Sequence, residues 1–495
     1  MKTRTNAGDY NLYSRKANTL LLTCLFLIVM MLAVFVSMAA VKQPARKLYD
    51  KELSAEIEKQ LVGGKLSLNF PASVKRFYTQ RQFDANWLAK ETAEDQTWAA
   101  MLMIDCVLQF GLNQADYHPK ELLYSTLHDI FERPAGVPLD QQARFDIMLT
   151  DAMVSFANNL HFGKYNPQYP ASKIDKGNLD FDALSLINMA MQSKDLMLTI
   201  TGAQPQNKLY QDIQSRMHAI AGVQLGDCYE FPEADVRKMA LNMERLRWAT
   251  LDTDNYLQVN VPSYKLSFYH NGLLDTFRVI VGKPGNATPT LNSAVNYFTT
   301  APEWKVPQKI FIKELLPKAI KDTAYLSAHH YSIYNDAGML INPNKTYLLK
   351  IKQAPQRYRA TQSAGCDNAL GQVVFRFANI HDIYLHDTPE QELFYRKNRA
   401  LSHGCVRVQY AAKLAKLMLE NDGLSVVVPT MEKAIDRGIR KNFVLKKPVK
   451  IAVTYITCEI VNGRLVVYDD VYGLDKNLDM LLYKKDDQTL KVTQN

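Results

Sequence analysis

The hydrophobic period of this 495-residue chain changes near residue 254, and a single kind of secondary structure cannot satisfy both parts. Upstream, in "ARFDIMLTDAMVSFANNLHFGK", Phe145, Leu149, Ala152, Phe156 and Leu160 recur at helical spacing, and Gly163 stands where a C-terminal cap belongs. "TWAAMLMIDCVLQFGL" is apolar almost all round and also ends in a glycine, Gly111, which predicts a central helix with Cys106 as a small core residue. Downstream, "YKLSFYHNGLLDTFRVIVG" alternates Tyr264, Leu266 and Phe268 against Lys265, Ser267 and Tyr269, then turns at Asn271-Gly272 into a second strand, a hairpin pattern. "VVFRFANIHDIYLHDTP" continues in strand-like fashion, and "QYAAKLAKLMLENDG" puts Leu414, Leu417 and Met418 on one helical face before Gly423.

The expected class is therefore α+β, with a helical N-terminal scaffold domain over residues 50–250 and a β-rich domain over 254–430. Between Trp304 and Gly371 the sheet pattern is interrupted, so an insertion at about 308–360 is expected, either a lid over a groove or a plain structural excursion. Residues 431–495 read as a C-terminal extension packing on one of the two domains.

One segment differs from everything else. From Asn18 to Val41 there is no charge, a length that spans a bilayer, and an uncleaved anchor is expected there; cleavage after Ser37-Met38-Ala39 is the competing reading. Residues 1–17 would then be cytoplasmic, with a single pass and the large C-terminal part in the periplasm. Cys24 within this run reads as lipid-facing. The net charge of +9 is spread among 50 acidic residues without a long basic block, which argues against nucleic acid as a partner. Cys106, Cys228, Cys366, Cys405 and Cys458 show no CxxC pair and no zinc-like spacing. Bridges among Cys228, Cys366 and Cys458 cannot be read from spacing alone.

"ALSHGCVRV" carries the chemistry. A catalytic cysteine needs a base or positive potential to become a thiolate. His386 ends the strand-like "IYLH", and if the sheet joins that segment to Cys405, the imidazole can take the thiol proton. Gly404 permits a sharp turn that would aim the amides around Gly404 and Cys405 at a developing oxyanion. On the residues alone, a buried cysteine beside solvated histidines remains the alternative. HExxH, GxGxxG and P-loop motifs are absent, so metalloprotease and nucleotide readings have no anchor.

"YLHDTP" followed by "RALSHGCVRV" resembles the signature of the L,D-transpeptidase catalytic domain of the YkuD type. "FYTQRQFDANW", "GLNQADYH", "LTDAMVSFANNLHFGK", "NMERLRWA", "PEWKVPQKI" and "VYGLD" extend the resemblance to the large YcbB-like subgroup over most of residues 65–475. The resemblance implies Cys405 as nucleophile, His386 as its general base, and His403 as a second histidine lining the site. Ser402, Gly404 and Arg407 fall on the remaining motif positions, with Arg407 either holding a substrate carboxylate or bracing the loop. Tyr384 is expected to line the wall. The implied substrates are peptidoglycan stem peptides, a tetrapeptide donor and an amine acceptor joined in a 3-3 cross-link, with the inner membrane as the anchor's partner and no metal or organic cofactor.

A same-fold hydrolase and a non-catalytic wall-binding scaffold are the alternatives. The sequence departs from the family in three places. A small peptidoglycan-binding module between scaffold and catalytic domain is missing; Cys366 stands where proline is usual; and Asp387, beside His386, either orients the imidazole or serves the turn. Arg396, Lys397 and Arg399 form a basic cluster that reads as a solvated loop or as an attractor of acidic stems.

Overall fold

The computed structural model describes residues 50–88, 93–223, 233–249, 251 and 254–483. The apolar run at 18–41, with Cys24, and also Cys228 lie outside these residues. Among the described residues no helix is long and apolar enough to cross a membrane, and none of the cysteines is in a disulfide. The chain divides into two compact units.

The first unit, which runs through Asp105 and includes 114–157 and 171–201, is helical. Its centre is the helix Leu139–Phe162, whose residues to Ala157 belong to it. Phe145, Leu149, Ala152 and Phe156 on that helix are all at most 2% exposed, as the helical spacing requires. The same helix carries a buried carboxylate, Asp146. It accepts from the amides of Asn86, Trp87 and Leu88 and from the Tyr78 hydroxyl at 2.6 Å, tying the aromatic "FYTQRQFDANW" segment to the core. Such a charge is tolerated inside only because its lone pairs are met.

At Gly163, in the second unit, the backbone turns left-handed with φ +82, and a Cβ there would lie 2.7 Å from the Trp248 indole nitrogen. The position therefore excludes other residues on both counts.

Cys106 corrects the core expectation. The helix Glu94–Asp105 stops one residue earlier and a 3-10 turn, Val107–Phe110, follows. Cys106 is exposed, and so is Leu102 one helical turn before it, at 47%. An all-round apolar helix gives no phase from which to tell its solvent side.

The second unit contains residues 106–113, 158–170 and everything from Gly202. Its strands are β1 Tyr256–Asn260, β2 Lys265–His270, β3 Leu273–Gly282, β4 Leu291–Thr300, β5 Trp304–Lys305, β6 Tyr331–Asn335, β7 Leu340–Ile341, β8 Tyr358–Gln362, β9 Val373–Phe377, β10 Leu385–His386, β11 Ala400–Ser402, β12 Val406–Val408 and β13 Lys441–Thr454, followed by a small hairpin of β14 Cys458–Val461 and β15 Arg464–Val467. Nine of them form one sheet in the order β11-β3-β12-β10-β9-β4-β13-β1-β2, and β2 also pairs with β3, so the pairing closes on itself. The β2–β3 hairpin turns on Asn271 and Gly272, both at positive φ, as the Asn-Gly pair predicts. The strand-like run after Val373 is in fact broken into β9 and β10. Asn379 makes the break: its side-chain oxygen accepts from the amides of His381 and Ile383, and its nitrogen donates to Phe377 O and Ile383 O.

The insertion has a sheet of its own, β5-β8-β6-β7, and its own core around Phe311, Leu316, Ile333, Leu348 and Ile351. It folds as a subdomain because it buries enough apolar surface to do so.

Two sequence boundaries change. Residues 441–454 do not pack on a finished domain. As β13 they pair parallel with β1 and antiparallel with β4, inside the sheet. The helix Glu233–Arg247 belongs with the sheet unit too, because Arg245 and Lys238 both pair with Asp475, and Asn242 bonds Thr457 and Cys458. The change of period at 254 marks a change of secondary structure, not of packing.

Phe298 on β4 stacks on Phe443 of β13 at 5.3 Å and lies 5.6 Å from Phe375 of β9. Phe298→Ala is expected to lower unfolding free energy by about 3–5 kcal/mol, measured by denaturant titration.

Candidate active site

Strands β10 and β12 run parallel, with Leu385 opposite Val406 and His386 opposite Arg407. The Val406 amide donates to Tyr384 O, so Tyr384 stands beside Cys405 just ahead of the paired segment. Val406 and Val408 are buried in the core, which turns Cys405 and Arg407 to the opposite face together with Tyr384 and His386. A two-residue alternation on two adjacent strands thus brings four of the motif side chains onto one surface.

Each of these four is held differently. Cys405 is half-buried, its Sγ 3.8 Å from the carbonyl of Asp382. Burial pushes the thiol above its ordinary 9.0, while hydrogen bonds from the Tyr384 amide and side chain act the other way. The Tyr384 ring lies 5.6 Å from that of His386 and under the Arg376 guanidinium, and its hydroxyl is within hydrogen-bonding reach of Trp304 at the start of the insertion. His386 is buried, and its Nδ1–H donates to the carbonyl of Asp387 at 2.5 Å. That bond fixes the tautomer and leaves Nε2 as the acceptor. Burial first, and then the charge of Arg407, lower its pKa to about 3. Burial thus favours the uncharged form of each group, the thiol of Cys405 and the neutral imidazole of His386.

The Asp387 carboxylate does not orient the ring. It accepts from the Gln372 amide at 2.9 Å and from Gln391 Nε2 at 3.1 Å, bracing two loops, while its backbone carbonyl does the orienting. Arg407 is likewise engaged by Glu390 and, at 3.5 Å, by Thr388.

The turn before Cys405 departs from expectation. Gly404 takes φ +123, a conformation open to glycine, with Ile383 3.4 Å from where a Cβ would stand. Its amide does not face the reacting region. It donates to Ser402 Oγ at 3.1 Å, and Ser402 Oγ in turn donates to Cys405 O at 2.5 Å. The Gly404 carbonyl accepts from Thr288 Oγ1 at 2.7 Å. Ser402 and Gly404 thus serve the turn, and the Cys405 amide and Tyr384 hydroxyl are left as nearby donors.

His403 points to the insertion, where Nε2 lies 2.6 Å from Glu314 Oε1. Glu314 sits on a π-helical turn, Phe311–Leu315, just ahead of Pro317, and no local sequence signal marks it as a partner of the motif. Both side chains are more than a third exposed, at 34% and 43%, so the pair is worth about 0–1 kcal/mol. Glu314→Ala is expected to leave the melting temperature nearly unchanged while amide exchange over 308–321 quickens, measured by hydrogen–deuterium exchange.

A thiol, an imidazole acceptor and a phenol on one face, with a folded insertion touching the same loop, make a site of the cysteine acyl-transfer kind. Comparison with known proteins places the chain in a family. The L,D-transpeptidase catalytic domain model, YkuD, matches residues 254–429, and the Scaffold domain model matches 72–217. A Haemophilus influenzae protein provisionally named an L,D-transpeptidase is 30% identical over 429 residues, covering 84% of this chain and 81% of that protein. The chain belongs to the L,D-transpeptidase family.

Proposed function

We propose that this protein forms 3-3 cross-links in peptidoglycan through a thioester on Cys405, in cell wall synthesis or remodelling. The observation that carries the reading is the parallel pairing of β10 with β12, which sets Tyr384 and His386 on the same face as the thiol. His386 Nε2 takes the thiol proton as sulfur bonds to the carbonyl carbon of the third stem residue. In this scheme the Cys405 amide and the Tyr384 hydroxyl meet the oxyanion. His386 returns the proton to the departing D-alanine amine as the amide bond breaks, leaving the thioester. An amine of a neighbouring stem then attacks that carbonyl, its proton passes by way of His386 back to sulfur, and the new amide is released. In this scheme proton transfer accompanies attack, since burial favours the uncharged thiol and imidazole.

Arg407 and Ser402 maintain the loops around this centre, and His403 couples it to the insertion. No cofactor enters the scheme. The apolar segment at 18–41 would anchor the chain in the inner membrane with the site on the periplasmic side, where the polymer lies.

The test is mass spectrometry of products after the full-length chain is incubated with purified disaccharide-tetrapeptide. Dimers that have lost one D-alanine are expected. Trimmed monomers alone would instead mean that water resolves the thioester and that the protein is a hydrolase of this fold.

A further inference from the structure

At the end of β12 away from Cys405 lies a cavity of about 440 Å³ walled by Tyr264, Arg278, Tyr395, Arg399, Gln409 and Tyr410. Gln409 follows the alternation that begins at Cys405 and Arg407, so the cavity continues the same strand face, roughly 13 Å from the thiol at about 3.3 Å per residue. Two guanidiniums share it. Arg278 lies 5.2 Å over the Tyr395 ring, and Arg399 5.1 Å over Tyr264. Arg399 donates only to the carbonyls of Val279, Arg396 and Tyr264, and among the described residues Arg278 is paired with no carboxylate. Burial, and then the charge of Arg278, hold Arg399 below its ordinary pKa, a sign that the two like charges feel each other. Lys265 also borders the cavity, but its charge is met by Glu459 at 3.2 Å. The rim is aromatic, with Tyr395 68% and Tyr410 60% exposed.

Arg278, which meets no carboxylate among the described residues, offers the donor fork for a planar anion; Arg399, held by three carbonyls, adds positive charge beside it, and the tyrosine rings would cover the apolar atoms that carry the anion. We propose that this cavity binds a carboxylate of the acidic stem peptide at a distance from the carbonyl that reacts. The inference rests on the peptidoglycan reading above and adds to it a site for the substrate's charge. It also gives a role to Arg399, one of the three basic residues ahead of the motif. Arg396 and Lys397 do not line the cavity.

The experiment is calorimetric titration of the full-length Cys405→Ala chain, in which turnover is blocked, with two ligands: the disaccharide-tetrapeptide, and the same molecule with the free carboxylate of its second residue amidated. The free acid is expected to bind about tenfold more tightly than the amide, and Arg278→Glu in the same background to remove that preference while changing affinity for the amide by less than about twofold. Equal affinities for acid and amide, or a preference that survives Arg278→Glu, would overturn the proposal. The comparison of ligands stands even if the Arg278 variant folds poorly. Absence of cross-linked product from the wild-type chain would count against the proposed function alone, because the titration needs no turnover.

Discussion

Cys405→Ala is expected to abolish both cross-linked product and carbapenem adduct, a loss of about 10⁴–10⁶-fold in turnover, while the chain stays folded. The two halves of this expectation have separate causes. Sulfur is the atom that forms the acyl bond, so its removal leaves nothing to acylate. The side chain is only half-buried and packs at the edge of the core, whereas Val406 and Val408, further along the strand, lie fully inside it. The melting temperature should fall by no more than about 4 °C. Product analysis, intact-protein mass after carbapenem treatment and a thermal melt check the three parts. Retained turnover would remove Cys405 from the mechanism.

His386→Gln is the second large effect. Glutamine can keep a hydrogen bond to Asp387 O but cannot accept the thiol proton, so turnover should fall by about 10²–10⁴-fold. The pH dependence is more diagnostic than the loss itself. With its folded-state pKa lowered from 6.5 to about 3, His386 stays neutral well below pH 6.5, and the wild-type acid limb should therefore lie below that value. Stability follows with a definite sign. Between those two values the unfolded chain binds a proton that the folded chain does not, so unfolding free energy should decline as pH falls from 6.5 toward 3. That decline should be shallower in His386→Gln. Rate profiles and denaturant titrations at several pH values measure both.

Local patterns made much of the fold legible. Asn271-Gly272 announces its hairpin because few dipeptides adopt two successive left-handed conformations. Gly163 and the stripe from Phe145 to Leu160 mark a helix end and a buried face for equally local reasons. What the sequence withheld is long-range. Nothing in "KNFVLKKPVKIAVT" says that it will pair with β1 and β4 at the middle of the sheet, because pairing partners are chosen by tertiary packing. Cys106 misled for the opposite reason, since a helix apolar on every side carries no phase.

At the candidate site the same division holds. Cys405, His386 and Tyr384 can be picked out from their motif and from alternation along one strand. The role of Asp387 cannot, because its carboxylate and its carbonyl compete for the same neighbour, and in the fold it is the carbonyl that meets the imidazole. Glu314 was hidden as well, being 89 positions from His403 in a segment with its own core. At Gly404 the glycine suggests an anion cradle, yet Ser402 takes the amide. A neighbouring hydroxyl two residues away is a strong local competitor for a backbone donor.

The mechanism turns on covalent attachment of a stem peptide to Cys405. Rapid acid quenching of the wild-type chain with disaccharide-tetrapeptide, followed by peptide mapping, addresses it directly. The expected result is a mass increase on the peptide containing Cys405 equal to the substrate less one D-alanine, with the adduct discharged when an acceptor amine is added. A chain that turns over the substrate with no such adduct, or with the adduct on Cys366, would contradict it.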